Sequence, residues 1–303
     1  MENCMTGNDG EMWARRNRWT RSRLISFCLA AASLLWVLLA SNSPLSAQVF
    51  EYPLAAASTD DKTVYVADRK LPGIWKVSDG RPEVFFRAAK EFRTPLNAIR
   101  CLAVDQQGRL LVGDSGTREV YRFNDKNQPL PLTSGGIGIP MGIAVGPTGE
   151  IFVSDLETQR IMKVPVEGGA AQVFASVPAP HGLTFDSAGR LFVVSHGKNQ
   201  LLRVSAEGKV EVAVTGRRFR YPHDVAVKAD GSLYVSDGYR KTVWMIAPGE
   251  EPKPWLSGEP LENPVGLAWR GDSLLVADSR AKQVFAADAD GKLTPLVTAP
   301  DNE

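Results

Sequence analysis

The chain has 303 residues, 35 Lys+Arg against 34 Asp+Glu, a formal charge of +1, and 44% hydrophobic against 23% charged residues. Such a balance excludes a disordered polar chain, and it lacks the basic excess of a general nucleic-acid binder. Three cysteines in this length exclude a scaffold built on disulfides.

The first predicted element is a leader over residues 1–47. Arg15, Arg16, Arg18, Arg21 and Arg23 precede a 17-residue apolar run, residues 24–40, then Ser41-Asn42-Ser43-Pro44 and a small-residue end at Ala47. That is the order of a secretory signal peptide, cleaved after Ala47. The alternative is an uncleaved anchor, for which the run is short of the ~20 residues that span a bilayer. Setting aside the leader's five arginines and three acids (Glu2, Asp9, Glu11) turns the net charge to −1 and leaves Cys101 as the one cysteine. Cys101 opens the apolar run Cys101-Leu102-Ala103-Val104, which reads as packing. The remaining chain is expected outside the cytoplasm, periplasmic or extracellular, with no stable membrane span after cleavage.

Residues 48–303 repeat one unit. A clear copy reads Gly142-Ile143-Ala144-Val145, Thr148-Gly149, Ile151-Phe152-Val153-Ser154-Asp155, then Ile161-Met162-Lys163-Val164. The second run ends at Asp68, Asp114, Asp155, Ser195, Asp237 and Asp278, with spacings of 46, 41, 40, 42 and 41. Each unit holds four short runs rich in Val, Ile, Leu and aromatics, divided by Gly, Asp and Pro, which reads as four strands with turns. Four antiparallel strands per ~40 residues is the period of a propeller blade. The chain is therefore read as all-β, a six-bladed β-propeller of four-stranded antiparallel blades. In chain order the blades occupy about 49–96, 97–139, 140–179, 180–221, 222–263 and 264–303. The first strand is expected near residues 54–58 and the last near 293–297, so closure rests on packing between blades 1 and 6. Residues 87–95 lengthen the exit of blade 1 and predict an extra loop or a turn of helix. The pattern Pro140-Met141-Gly142-Ile143-Ala144-Val145, with Ile151-Phe152-Val153-Ser154-Asp155 and Arg160-Ile161, resembles the NHL repeat, and it extends over all six units.

In such a blade the first strand begins, and the second ends, on one face of the disc. His181 and His223 begin first strands, each after a proline, and His196 follows a second strand. All three histidines are expected on one rim, His181 and His223 nearest the channel. Neutral imidazole ligates transition metals and moves protons. The repeated Asp reads as architectural, a carboxylate that accepts backbone N–H groups and fixes the next turn. Blade 4 breaks that rule with Ser195-His196.

The segments Tyr221-Pro222-His223-Asp224 and Val235-Ser236-Asp237-Gly238-Tyr239 resemble those of the peptidyl-amidoglycolate lyases, exported six-bladed propellers. The resemblance implies zinc held by channel histidines, here His181 and His223, with Tyr239 and Arg69 beside it. The sequence departs from that family at blades 2 and 6, where residues 98–100 and Val265 replace histidines, and in lacking its disulfides. Gluconolactonase-like propellers hold a calcium-type ion with Glu, Asn and Asp. Asn97 and Asp224 are the matching candidates, although no Glu begins a first strand. The streptogramin lyase pattern is not matched. His-Glu-x-x-His, Cys-x-x-Cys, Walker and Gly-x-Ser-x-Gly motifs are absent. Arg217, Arg218 and Arg220 interleave with Phe219 on the histidine face and could hold an anionic ligand.

Two functions are carried forward. One is a binding module that takes a protein or small-molecule ligand on the histidine-bearing rim and channel mouth, with no nucleic-acid partner. The other is a lyase or hydrolase assisted by a divalent metal, zinc or calcium. There His181 and His223 hold the metal, Tyr239 or His196 moves a proton, and Arg69, Arg100 or the 217–220 loop holds the substrate.

Overall fold

A computed structural model describes residues 49–89, 91 and 94–297; the leader expected over residues 1–47 lies outside them. The described residues form six four-stranded antiparallel sheets, paired in chain order, so that β1–β4 make the first blade and β21–β24 the last. The innermost strands are β1 (Pro53–Ser58), β5 (Ile99–Val104), β9 (Pro140–Val145), β13 (Pro180–Phe185), β17 (Pro222–Val227) and β21 (Pro264–Arg270). Next outward come β2 (Thr63–Asp68), β6 (Leu110–Asp114), β10 (Ile151–Asp155), β14 (Leu191–Ser195), β18 (Leu233–Asp237) and β22 (Ser273–Asp278). From β6 to β18 these second strands are buried along their whole length, which explains why they read as continuous apolar runs. No helix among the described residues is long and apolar enough to cross a membrane.

The core is divided into six clusters, one at each blade interface. The cluster joining Phe50, Ala56, Val64 and Val66 to Leu275, Ala277, Val284 and Val297 packs the first blade against the last, with β1 lying against β21 and β22. At the exit of blade 1 the described residues form a loop rather than a helical turn. Thr94 Oγ1 donates to the carbonyls of Ala89 and Glu91, and Leu96 is buried with a φ of 64°.

The repeated aspartate ties each blade together at its rim. Asp155 accepts from the peptide N–H of Gly138 and Ile139, just before β9, and from Glu157 and Thr158 in the turn after β10. Asp68 does the same for Glu51, Tyr52 and Lys70; Asp237 for Arg220, Tyr221 and Arg240; Asp278 for Glu262, Asn263, Arg280 and Ala281. Asp114 binds Leu96, Ala98 and Gly116. Blade 4 has a reason to differ. The first donor position there is Pro178, which has no N–H. Ser195 instead donates its hydroxyl to the Pro178 carbonyl at 2.6 Å and accepts from Gly197 N–H at 3.0 Å.

Candidate functional site

The inner strands line a channel of about 540 Å³. Their registers against the second strands align them in layers. The layer at the mouth carries Leu54, Arg100, Met141, His181, His223 and Val265. The next carries Ala55, Cys101, Gly142, Asp224 and Gly266, with Gly182 against Asp224. Small residues are required there because neighbouring inner strands approach closely: a methyl on Gly266 would stand 2.6 Å from the Leu54 carbonyl oxygen. Asp224 fits only because its neighbour Gly182 has no side chain to meet its carboxylate.

His181, His196 and His223 come together on one face, as the blade topology predicts. The His181 and His196 rings stack with centroids 3.8 Å apart and planes at 23°, and His223 stands 6.5 Å from each. His181 Nδ1 donates to the Ala179 carbonyl at 3.1 Å, which leaves Nε2 as its acceptor nitrogen when neutral. The hydroxyl of Ser154, in blade 3, donates to the His181 carbonyl at 2.5 Å and so fixes the backbone beneath the ring. His196 Nε2 donates to the Pro222 carbonyl of blade 5 at 2.6 Å. The His223 ring makes no hydrogen bond to protein among the described residues. A methyl on Gly238 would stand 3.1 Å from its Nε2 and would overlap Asn263 Oδ1.

Burial, reinforced by repulsion from neighbouring histidines, holds His181 and His223 down at about 4, and burial lowers His196 also. All three are neutral at pH 7. Asp224 is pushed up to about 6 by burial, against the pull of the Leu267 and Val225 N–H groups that its two oxygens accept. Burial and the field of Asp224 push the Cys101 thiol up, so it stays protonated.

The other candidates divide between the channel and the outer rim. Arg69 and Arg100 line the mouth; Arg100 Nε donates to Ser115 Oγ at 3.1 Å, and the Arg69 guanidinium lies 5.9 Å from the Tyr52 ring centre. Neither is in an ion pair among the described residues. Arg217 donates to the carbonyls of His196 and Gly197, Arg218 pairs with Glu251 at 3.0 Å, and Arg220 covers the Tyr239 ring at 5.0 Å. Tyr239 is 71% exposed, and neither it nor Asn97, which donates to the Glu91 carbonyl, is among the residues that line the channel. Tyr221 lines the channel mouth, with its ring 4.5 Å from His196 and 4.9 Å from His223. Sequence reasoning passed over Tyr221 and Asn263. The available signal was their shared place, directly before the proline that opens an inner strand.

These donors do not fit a metal in the present arrangement. Two imidazoles on one tetrahedral zinc, with bonds of about 2.0–2.1 Å, put ring centres about 5.5 Å apart. His181 and His223 are 6.5 Å apart, and His196 is stacked on one and bonded to a carbonyl. No group of three His, Cys, Asp or Glu among the described residues is placed to hold an ion. Calcium needs six to eight oxygens, and Asp224 is the lone carboxylate lining the described channel, with both oxygens already bonded.

The family described as SMP-30/Gluconolactonase/LRE-like region matches residues 31–218. The chain is 26% identical over 191 residues to the probable peptidyl-alpha-hydroxyglycine alpha-amidating lyase pgal-1 of Caenorhabditis elegans, covering 59% of this chain and 45% of that protein. It is 33% identical over 57 residues to NHL-repeat-containing protein 4 of Homo sapiens, covering 19% of this chain and 46% of that one. The chain spans less than half the length of the curated relatives it matches. Virginiamycin B lyase from Staphylococcus aureus has the same fold, with a TM-score of 0.63 at 17% identity over 81% of this chain and 84% of that one.

Proposed function

The chain belongs to the SMP-30/Gluconolactonase/LRE-like family, and from that premise we propose that it is an exported propeller that binds a small anionic ligand at the histidine-bearing channel mouth. One observation carries this reading: Arg69 and Arg100 line the mouth without ion-pair partners among the described residues, together with the neutral His181 and His223. The unpaired guanidiniums favour a carboxylate, which they can bind through paired N–H groups. Tyr221 and His223 add a ring surface beside them. Calorimetry with benzoate, benzyl alcohol and benzylamine tests the reading. Benzoate is expected to bind, and the double variant Arg69→Gln, Arg100→Gln to weaken it at least about tenfold. Equal binding of benzyl alcohol, or no effect of the variant, would overturn it.

A lyase or hydrolase reading draws on the relatives' names and on the unbonded, neutral His223 ring, which could accept a proton. Elemental analysis separates the two. Metal that survives dialysis and is lost in His223→Ala favours the enzyme; none in either protein leaves the binding module.

A further inference from the structure

The outermost strand of each blade has one edge with no neighbouring strand among the described residues, and an open edge invites another strand to pair with it. Four of the six edges carry proline, which offers no N–H to a ladder. They are β4 (Arg81–Arg87), β8 (Pro129–Pro131), β20 (Lys253–Ser257) and β24 (Leu293–Pro295). The prolines fall at two positions of the repeat. Pro82 and Pro129 stand opposite Val77 and Phe123, while Pro131, Pro254 and Pro295 stand opposite Tyr121, Trp244 and Phe285. β12 (Gln172–Ser176) has no proline, but the next blade's turn lies on it: a methyl on Gly208 would stand 2.3 Å from the Phe174 carbonyl oxygen. β16 (Val210–Val214) has neither protection. Val210 and Val212 occupy its two proline positions, opposite Val204 and Leu202, and nothing lies within 4 Å of a methyl placed on Gly249 in the corresponding turn of blade 5. Val212 is accordingly 48% exposed.

The open edge is patterned in charge. Ser205 N–H donates to the Lys209 carbonyl, and Arg203 of β15 (Leu201–Val204) lies opposite Glu211. Bonding alternates along an antiparallel pair, so Lys209 and Glu211 bond inward while Val210 and Val212 turn their N–H and C=O groups outward. Lys209 Nζ lies 3.2 Å from Glu211, and Arg203 lies 2.6 Å from the same carboxylate. Charge selects the register in which β16 can pair with a copy of itself. A two-fold axis at Glu211 sets that carboxylate opposite its own copy, which is repulsive. An axis at Val212 carries the pair through the bulge between Val212 and Val214. An axis at Val210 joins the outward groups of the two Val210 residues and sets Lys209 opposite Glu211 of the copy, twice over by symmetry. We propose that the protein forms a two-fold dimer in which the β16 strands of two copies pair antiparallel about Val210. Two four-stranded blades thereby become one continuous sheet, with Lys209 of each copy facing Glu211 of the other.

Sedimentation equilibrium of the full chain at low ionic strength tests the proposal. The wild type is expected to dimerise, and added salt to weaken the dimer by screening the facing charges. Val210→Pro removes the central N–H and is expected to weaken the dimer at least about tenfold. Proline already stands at that position in blades 1 and 2, so the variant is expected to melt within about 5 °C of the wild type. Lys209→Glu and Glu211→Lys each set like charges face to face and are expected to be monomeric alone. Mixed together they are expected to form a one-to-one heterodimer, because the mixed pair restores opposite charges at both contacts. That readout stands by itself if Val210→Pro does not fold. A monomeric wild type overturns the proposal. So does a dimer that Val210→Pro leaves unchanged, or a pair of charge variants that stay monomeric when mixed.

Discussion

His181 and His223 carry a cost that can be measured as a pH dependence. In an unfolded chain they titrate near 6.5, while burial and their histidine neighbours hold them at about 4 in the fold. Between those values the unfolded chain takes up protons that the folded one refuses, so stability falls as pH drops from 6.5 toward 4. Each ring withdraws on the order of 3 kcal/mol over that window. Asp224 has the opposite sign. Its folded value of about 6 lies above the unfolded 3.8, so the folded form protonates first and regains a similar amount on acidification. From these three groups the net expectation is a loss of about one histidine's worth, near 3 kcal/mol, between pH 7 and pH 4.5, and His196, also lowered by burial, adds to it. Urea midpoints at the two pH values measure it. His223→Gln is expected to flatten the dependence and Asp224→Asn to steepen it. A wild-type midpoint independent of pH would contradict the burial argument. At this scale the sequence was only partly readable. Chain topology is enough to bring the three histidines to one rim. The His196 ring that stacks on His181 is bonded to a carbonyl from the next blade, and the exposed Tyr239 ring is covered by Arg220. Both are side-chain choices made across the fold, and strand periodicity does not encode them.

The blade itself was the most legible element, because its signals are local: alternating apolar runs, glycine turns and an aspartate at a fixed place. The aspartate's partners explain both the rule and its exception. Each carboxylate holds three or more N–H groups that join the entry of an inner strand to the turn after the second strand, and bonds to a charged acceptor are worth roughly 1.5–3 kcal/mol each. Asp155→Ala, which strips its partners Gly138, Ile139, Glu157 and Thr158 of their acceptor, is expected to cost about 3 kcal/mol or more. Restoring the rule in blade 4 by Ser195→Asp is expected to destabilise as well. The carboxylate would face the Pro178 carbonyl, which now accepts from the serine hydroxyl, and would find no N–H on that residue. Denaturant titration of both variants checks the pair of expectations; a stabilising Ser195→Asp would show that the missing donor is not what selects serine. Blade 4's irregularity therefore has a backbone cause in the Val177-Pro178-Ala179-Pro180 segment. The sequence already contained that clue, since Pro178 removes one of the N–H groups that the aspartate binds in the other blades.

For the molecule as a whole, the repeat period alone is sufficient to set a ring of six blades, but it leaves open how the ring is sealed. The structure packs the seam with side chains, Phe50, Val64 and Val66 on one side and Leu275, Val284 and Val297 on the other, and among the described residues no strand is exchanged between the first and last blades. That seam is built like the other five interfaces, each with its own apolar cluster. The position of the break in the chain is consequently an accident of connectivity rather than a feature of the packing. Circular permutation makes the point testable. Joining residue 297 to residue 48 by a short Gly/Ser linker and opening the chain between Gly135 and Gly136, both in an exposed inter-blade loop, is expected to keep the melting temperature within about 5 °C. A fall of more than about 10 °C would mean that the native seam is privileged. If the permutant holds, any inter-blade loop can serve as a point of attachment, and a fused domain could be placed at whichever azimuth is wanted around the face that carries the histidines.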